Sequence, residues 1–113
     1  MLSGVAPIVA RSLERFREAL HAEFGARLRE LTLFGSQARG EAHEESDVDV
    51  LVVVDDLTES ERKRIYDFSY DAGIEGDELV SLSPLAYATD PIADMRAREK
   101  RLVHEIARDG VPL

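Results

Sequence analysis

Hydrophobic residues recur along the chain at two different spacings, and these spacings predict its helices and strands. After Pro7, which suits the first turn of a helix, apolar residues recur at helical spacing, at Val9, Leu13, Phe16, Leu20 and Phe24. This spacing predicts an amphipathic helix that ends near Gly25. The segment LRELTLF (Leu28–Phe34) alternates between apolar and polar residues, so we interpret it as a strand.

The most pronounced strand pattern is VDVLVVV (Val48–Val54), in which apolar residues are continuous after a single aspartate. Such a run is typical of a strand that is buried in a core. Thr58 and Glu61 follow with the spacing of a capping box, which marks the beginning of a helix. The sequence ERKRIYDFSYDAG continues this helix to Gly73, near which we expect it to end.

The last part of the chain adds one strand and one helix. We interpret ELVSLS (Glu78–Ser83) as a third strand, and Asp90-Pro91 as the beginning of a helix that ends near Gly110. The order helix, strand, strand, helix, strand, helix predicts the α/β class, with a small mixed sheet and helices packed on one face. Since the sequence has no repeat and no low-complexity linker, we expect a single domain over residues 1–113.

Composition and charge limit the classes of function. Of the 113 residues 44% are hydrophobic, which is enough for a core, and there is no cysteine for a disulfide or a thiolate metal site. Neither a signal peptide nor a membrane-spanning run is recognisable, so we expect a soluble cytoplasmic protein with no membrane partner. The net charge of −9 repels phosphate backbones and argues against long nucleic acid as a partner. A nucleotide that is bound through metal ions remains compatible with this charge.

The residues that suggest chemistry lie in LFGSQARGEAHEESDVDVLVVV. Gly35 and Ser36 are followed, after ten residues, by Asp47 and Asp49, which are one residue apart. Side chains alternate along a strand, so both carboxylates are predicted on one face, where they repel each other unless a cation, a proton or an arginine intervenes. Mg²⁺ takes oxygen ligands and completes its shell with waters and phosphates, and a Gly-Ser turn can hold phosphates. The combination predicts a metal–nucleotide site, although an Asp-x-Asp pair alone usually marks a solvated strand end.

The segment FGSQARGEAHEESDVDVLV resembles the signature of the nucleotidyltransferase superfamily with the DNA polymerase β-type palm. Over most of its length the chain is similar to the smallest members, the minimal nucleotidyltransferases, which are often paired with HEPN-domain proteins in toxin–antitoxin systems. The resemblance implies transfer of a nucleoside monophosphate, AMP from ATP, to an acceptor. It also implies that Gly35 and Ser36 hold phosphates, that Arg39 reaches the triphosphate, and that Asp47 and Asp49 bind two Mg²⁺ ions.

Active members of this family add a third carboxylate from a neighbouring strand, and two residues here compete for that role. Alignment of ELVSLSP with the acidic-then-apolar run of the family indicates Glu78 as the third catalytic and metal-binding residue. Strand alternation gives a different answer, because Asp77 shares the open face with Leu79 and Ser81 when Val80 faces the helices. We favour Glu78, and Asp77 stays open as the alternative.

Two functions follow from the resemblance. In the first, the protein is an enzyme that transfers AMP to a partner protein and is the antitoxin of a HEPN–nucleotidyltransferase pair. In the second, it binds a nucleotide with weak or no catalysis and neutralises a HEPN partner by direct contact. Transfer of labelled AMP to a co-purified partner separates the two functions. Formation of a homo-oligomer stays open.

Overall fold

The computed structural model describes residues 5–35, 38, 47–90 and 106–113, and the fold below refers to these. Its helices and strands, in chain order, are α1 (Pro7–Phe24), β1 (Leu28–Phe34), β2 (Val48–Val54), α2 (Glu59–Gly73), β3 (Ile74–Glu75), β4 (Glu78–Leu79), β5 (Leu82–Ala88) and β6 (Val111–Pro112). A short 3-10 turn joins α1 to β1. Within the described ranges no helix combines the length and the apolar character needed to cross a membrane.

Four of the strands form one sheet in the order β5-β2-β1-β6, so β2 lies in its interior. β1 is antiparallel to both β2 and β6, whereas β2 and β5 are parallel. A parallel pair needs a crossover connection, and α2 followed by the β3–β4 hairpin provides it. The sheet is therefore mixed, which confirms the predicted α/β class.

The two faces of β2 have different surroundings. One face is buried against α1 and α2 and carries four valines: Val48, Val50, Val52 and Val54. The other face carries Leu51 and Val53, which form a second buried cluster with Phe34. Ile106 packs against this second cluster, so the second face is covered at this level. The alternation predicted for this strand is confirmed.

Local sequence signals determine the ends of both helices. Pro7 lies in the first turn of α1, and Gly25 ends the helix with a φ of 53°, in the left-handed region that favours glycine. At α2, the Thr58 hydroxyl accepts a hydrogen bond from the Glu61 N–H at 3.2 Å, and the Glu61 carboxylate accepts one from the Thr58 N–H at 3.1 Å. The predicted capping box is present. α2 ends at Gly73, as predicted.

The bounds predicted for the third strand, Glu78–Ser83, are wrong. β4 pairs with β3 as a separate hairpin, and the sheet strand β5 begins only at Leu82. The predicted strand ended at Ser83, whereas β5 continues through Pro84 to Ala88. In the structure the Val48 N–H donates to the Ser81 carbonyl at 2.8 Å. In this register every second residue, beginning with Ser81 and Ser83, directs its backbone N–H and carbonyl toward β2, and the residues between them direct these groups away from it. Pro84 therefore falls on the free edge, where its missing N–H costs nothing.

The free edge of β5 is protected against pairing with another strand. Pro84 offers no donor there, and the Arg62 guanidinium of α2 donates to the Ala86 carbonyl. Proline and a covering cation are among the devices that prevent edge-to-edge association. The edge of the sheet beside α2 is thus closed to strand addition at these positions.

The last predicted helix is described only at its two ends. Residues 89–90 and 106–109 are helical, and the residues between them lie outside the described ranges. After this helix, β6 pairs with β1 at Thr32 and Leu33. The sequence did not predict β6, because a two-residue strand exists only through its pairing with a neighbour.

Candidate active site

Three strand ends meet at one edge of the sheet. β1 ends at Phe34, which is paired with Asp49 near the beginning of β2. On the other side of β2, Asp49 is paired with Ser83 near the beginning of β5. This edge, which we call the carboxylate edge, brings Asp47 and Asp49 to the place where the chain leaves β1 at Gly35.

Asp49 is the second residue of β2, and Asp47 directly precedes the strand, so continuing the alternation of side chains by one residue puts both carboxylates on the same side of the sheet. That side is the one on which Leu51 and Val53 are buried. Asp47 is exposed and Asp49 is half-buried. This side of β2 therefore changes from polar and accessible to apolar and buried within a few residues, and its accessible part is the carboxylate pair.

Gly35 lies against the Asp49 carboxylate and has no room for a side chain. It is buried, and its φ of 75° lies in the left-handed region that favours glycine. A Cβ built on Gly35 would overlap Asp49 Oδ2. The backbone that follows β1 therefore approaches the carboxylate as closely as only glycine permits. Ser36 and Arg39, which were also predicted to hold the nucleotide, lie outside the described residues.

Glu78, the predicted third carboxylate, is not part of the four-stranded sheet. It begins β4, is exposed, and pairs with Glu75 across the hairpin. Asp77, the alternative, lies in the turn of the same hairpin and is also exposed. The β5 residue in register with Asp49 is Ser83, which carries a hydroxyl. The role of Glu78 as a third metal ligand stays a prediction.

The oxygen atoms at the carboxylate edge fit a hard divalent cation such as Mg²⁺. Among the described residues no group of three His, Asp or Glu side chains could hold a metal ion. Mg²⁺ does not require such a group, because it keeps several waters and is bound through one or two carboxylates together with substrate phosphates. The donor set at this edge therefore fits a cation that arrives with a nucleotide better than one that is permanently enclosed by protein.

A second charged cluster lies at the opposite end of the sheet, where its charges are paired. The Arg27 guanidinium donates to both carboxylate oxygens of Glu61, each at 2.8 Å, and to the Asp55 carbonyl at 3.0 and 3.1 Å. It also lies 5.7 Å from the centre of the Phe24 ring. The hydrogen bonds from Arg27 and from the Thr58 backbone lower the pKa of Glu61 to about 2. These contacts join α2 to the beginning of β1.

The groove along the first half of β1 is separate from the carboxylate edge. It encloses about 360 Å³ and is lined by residues 28–32 of β1 together with His21, Pro112 and Leu113. Neither Asp47 nor Asp49 is in its lining.

A match to a known protein family identifies the class of this protein. A model of the nucleotidyltransferase domain matches residues 13–106, which is most of the chain. The protein belongs to the nucleotidyltransferase family. The resemblance inferred from the Gly-Ser pair and the two aspartates is thereby confirmed.

Two relatives of this nucleotidyltransferase come from Methanocaldococcus jannaschii, and both are named as candidate protein adenylyltransferases. The first is 42% identical over 45 residues, which are 40% of this chain and 45% of the relative. The second is 34% identical over 76 residues, which are 66% of this chain and 75% of the relative. The chain thus spans less than half of the first relative and three quarters of the second.

Two solved structures share the fold of this nucleotidyltransferase. One is a chain from the crystal structure of a toxin–antitoxin with AMP-PNP, with a TM-score of 0.54 and 23% identity over 88% of this chain and 70% of that chain. The other is a candidate nucleotidyltransferase from Sulfolobus solfataricus, with a TM-score of 0.51 and 20% identity over 99% of this chain and 90% of that chain. At these identities the likeness shows the fold alone, and it confirms the predicted architecture.

Proposed function

We propose that this nucleotidyltransferase transfers AMP from Mg-ATP to a protein, and that Asp47 and Asp49 hold the metal. The observation that carries the proposal is the close approach of Gly35 to the Asp49 carboxylate. It brings backbone that can bind phosphate next to a carboxylate that can bind Mg²⁺. Two relatives are named as candidate protein adenylyltransferases, and one structural neighbour was crystallised with AMP-PNP, an ATP analogue, which supports ATP as the nucleotide.

Each residue at the carboxylate edge has a distinct role in this proposal. Asp47 and Asp49 would hold two Mg²⁺ ions, which when bound neutralise the triphosphate and stabilise the attacking and leaving oxygens. Gly35 lets the backbone approach the β- and γ-phosphates with no side chain in the way. Ser36 and Arg39 are proposed to donate hydrogen bonds to the same phosphates, a role that rests on the family resemblance.

The proposed reaction exchanges one phosphorus–oxygen bond for another. A hydroxyl oxygen of the acceptor protein bonds to the α-phosphorus and releases its proton to solvent, while the α-phosphorus separates from the oxygen that bridges to the β-phosphate. That oxygen keeps the electron pair, and pyrophosphate leaves. Such transfers depend mainly on positioning and on stabilisation of charge. Asp49 suits this task because its half-buried carboxylate is held against Gly35, and Asp47 is exposed to the incoming nucleotide.

A second function is favoured by one observation, the serine at the β5 position beside Asp49. Active members of the family are expected to have a third carboxylate on a neighbouring strand, and Ser83 holds the position in register with Asp49. With two carboxylates the edge would bind Mg-ATP but catalyse slowly or not at all. The protein would then neutralise a HEPN-domain toxin by direct contact, whereas in the first function it modifies that partner with AMP.

Two measurements on the purified protein test these functions. Calorimetric titration with Mg-ATP, repeated in EDTA, is expected to show binding that requires the metal. Incubation of the protein and its co-purified partner with α-labelled ATP is expected to move the label onto the partner. Absence of binding, or binding that is unchanged by EDTA, contradicts the proposed site. Metal-dependent binding without any label on the partner supports the antitoxin that acts by contact.

The third carboxylate is tested by Glu78→Gln with Asp77→Asn as its matched alternative. The variant that removes a true metal ligand should lower single-turnover transfer far more than it lowers nucleotide affinity, because that ligand acts mainly on the attacking oxygen. Unchanged transfer in both variants would show that two carboxylates are sufficient or that catalysis is absent. The label-transfer assay on the unmodified protein separates these two results.

A further inference from the structure

Among the residues that the structure describes, the large hydrophobic side chains that are exposed lie close together. In the part of the chain that the structure describes, these side chains are Tyr66, Tyr70, Ile74 and Leu79, which are 46%, 62%, 47% and 57% exposed. All four belong to α2 and the hairpin that follows it, and we call them the apolar strip. Contiguous exposed apolar surface marks sites of interaction more often than scattered single residues do.

Local geometry makes the apolar strip continuous. Tyr66, Tyr70 and Ile74 follow one another at four-residue spacing, so they lie along one line of α2 and its C-terminal cap. Ile74 and Leu79 are paired across the β3–β4 hairpin, and residues that are directly opposite project from the same face. The strip therefore runs from the middle of α2 onto the hairpin, on the side of the helix away from the buried Ile65.

Four exposed carboxylates flank the apolar strip, two on α2 and two in the hairpin: Asp67, Asp71, Asp77 and Glu78. Within the described residues none of the four makes an ion pair or a side-chain hydrogen bond. Glu75 on the same hairpin differs, because Arg11 and Arg15 bind it at 3.0 and 2.8 Å. Lys63 also lies on this side of α2, and the Arg15 guanidinium donates to the Ile74 carbonyl at 3.3 Å. With Glu75 and its two arginines included, five carboxylates face three cations, so the rim of the strip is acidic on balance and its four unpaired carboxylates are available to a partner.

The apolar strip ends beside the carboxylate edge. Leu79 is followed after one residue by Ser81, whose carbonyl accepts a hydrogen bond from the Val48 N–H at 2.8 Å. Val48 lies between Asp47 and Asp49 in the sequence. A protein that binds the strip and extends past Ser81 would therefore reach the end of the sheet that carries Asp47 and Asp49, whose side chains lie on the face away from α2.

We propose that the apolar strip docks the acceptor protein, through a surface with apolar side chains at its centre and Lys or Arg around them. Apolar burial would supply affinity, and the acidic rim would select a basic partner. A second copy of this chain fits less well, because it would bring two acidic rims together in a protein with a net charge of −9. The docking stands without catalysis, whereas its role in presenting an acceptor rests on the proposed transfer of AMP to protein.

The probe for this proposal is a helical peptide of about 18 residues, long enough to hold a helical face, with leucines on one face and lysines on both sides of them. Its binding is measured by fluorescence anisotropy without nucleotide, beside a second peptide in which the lysines are replaced by glutamates. We expect the lysine peptide to bind and its affinity to fall when salt is added. We expect the affinity of the glutamate peptide to be lower by about tenfold or more. No binding of the lysine peptide, or equal binding of both peptides, overturns the proposal.

Variants of the strip locate the binding surface. Tyr70→Ser combined with Leu79→Ser is expected to weaken the lysine peptide about tenfold or more, because central apolar contacts dominate such interfaces. Glu18→Gln, which removes one exposed charge on α1, is the control and should leave the affinity unchanged. If circular dichroism shows that the double variant is unfolded, Asp67→Asn with Asp71→Asn replaces it and should reduce the salt dependence. Affinity that is equal in all variants, or a strip-dependent homodimer in sedimentation, overturns the proposal.

Nucleotide titrations separate this proposal from the proposed function. Asp47→Asn should bind the lysine peptide as the unmodified protein does, and the strip variant should bind Mg-ATP normally. If the unmodified protein binds the peptide but not Mg-ATP, the docking surface is supported and the proposed function is contradicted. If it binds Mg-ATP but not the peptide, the nucleotide site is supported and the docking surface is contradicted.

Discussion

The two ends of the sheet both concentrate acidic residues, but the fold holds them differently. At the end where β1 begins, Arg27 binds both oxygens of Glu61 at 2.8 Å, and the same carboxylate caps α2. At the end where β1 finishes, Asp47 is exposed and Asp49 lies against the backbone of Gly35. The first arrangement is a structural ion pair made within the protein. The second presents oxygen atoms and close backbone to a ligand, which is the property that the proposed function requires.

Asp47→Asn is expected to give the largest functional effect, because it removes one proposed metal ligand. Transfer of labelled AMP should fall by about 100-fold or more, since a bound metal supplies several kcal/mol and each 1.4 kcal/mol is a factor of ten. Urea unfolding should show unchanged or slightly raised stability, because one of two neighbouring like charges is removed. Glu61→Gln at the other end of the sheet is the control and should retain transfer. Transfer that survives Asp47→Asn contradicts the metal role.

Gly35→Ala tests the close approach to Asp49, and Gly25→Ala is a matched control. Both glycines have positive φ, 75° and 53°, so an alanine at either position carries a backbone penalty. A Cβ on Gly35 would overlap the Asp49 carboxylate, whereas one on Gly25 would meet no atom within 4 Å. Gly35→Ala should therefore destabilise more in urea titrations, by about 1 kcal/mol or more beyond the control.

The activity of the same two variants sharpens the comparison between the ends of the sheet. Gly35→Ala should also lose affinity for Mg-ATP in calorimetry, because the displaced carboxylate and the added methyl group both disturb the carboxylate edge. Gly25→Ala should bind Mg-ATP normally. Equal losses of stability and affinity in the two variants would mean that Gly35 is needed only for its backbone conformation.

Ser83→Asp is expected to strengthen the carboxylate edge as a cation site. The β5 position beside Asp49 would then carry a third carboxylate, so Mg²⁺ should bind about tenfold more tightly, which is worth about 1.4 kcal/mol. In the absence of metal, the midpoint of thermal unfolding should be lower for Ser83→Asp than for the unmodified protein, because like charges repel. Added Mg²⁺ should raise this midpoint more in Ser83→Asp than in the unmodified protein. Ser83→Asn is the uncharged control. An equal response of both variants to Mg²⁺ would argue against a cation beside Asp49.

Glu61→Gln is expected to have the smallest effect, and one that depends on pH. The pKa of Glu61 is lowered from 4.5 to about 2 in the folded protein, so the stability it contributes is present above pH 4.5 and is lost as the pH falls toward 2. As the pH is lowered from 4.5 toward 2, the urea concentration at the midpoint of unfolding should therefore decrease less for Glu61→Gln than for the unmodified protein. At neutral pH the variant should be slightly less stable. Identical pH profiles would show that the pair with Arg27 is not formed in solution.

Sequence reasoning predicted most accurately the elements whose signals are local. The apolar spacing of α1, its proline and its terminal glycine, and the capping box of α2 each depend on neighbouring residues, and all are present in the structure. β2 was equally clear because every residue on its face toward α1 and α2 is a valine. The family resemblance rested on the Gly-Ser pair and the two aspartates, which lie together in one segment of the sequence.

The elements that sequence reasoning missed depend on long-range pairing. Glu75-Gly76-Asp77-Glu78 carries a turn signal, and Gly76 has a φ of 59°, but the two-residue strands beside it are defined only by each other. The predicted strand ended too early, at Ser83, and the continuation of β5 through Pro84 is possible because the order of strands puts this proline on a free edge. The same register assigns Ser83, rather than an acidic residue, to the position beside Asp49.

The central claim is that the carboxylate edge, and not the other end of the sheet, holds the metal and the nucleotide. Paramagnetic broadening of NMR signals tests this claim most directly. Mn²⁺, a stand-in for Mg²⁺, is titrated with ATP into isotopically labelled protein, and the loss of each backbone amide signal in NMR spectra is followed. The account predicts that the signals of Gly35, Asp49 and Ser83 disappear first, while those of Arg27 and Glu61 persist. Broadening that begins at Arg27 and Glu61, beside the acidic turn at residues 55–56, would contradict it.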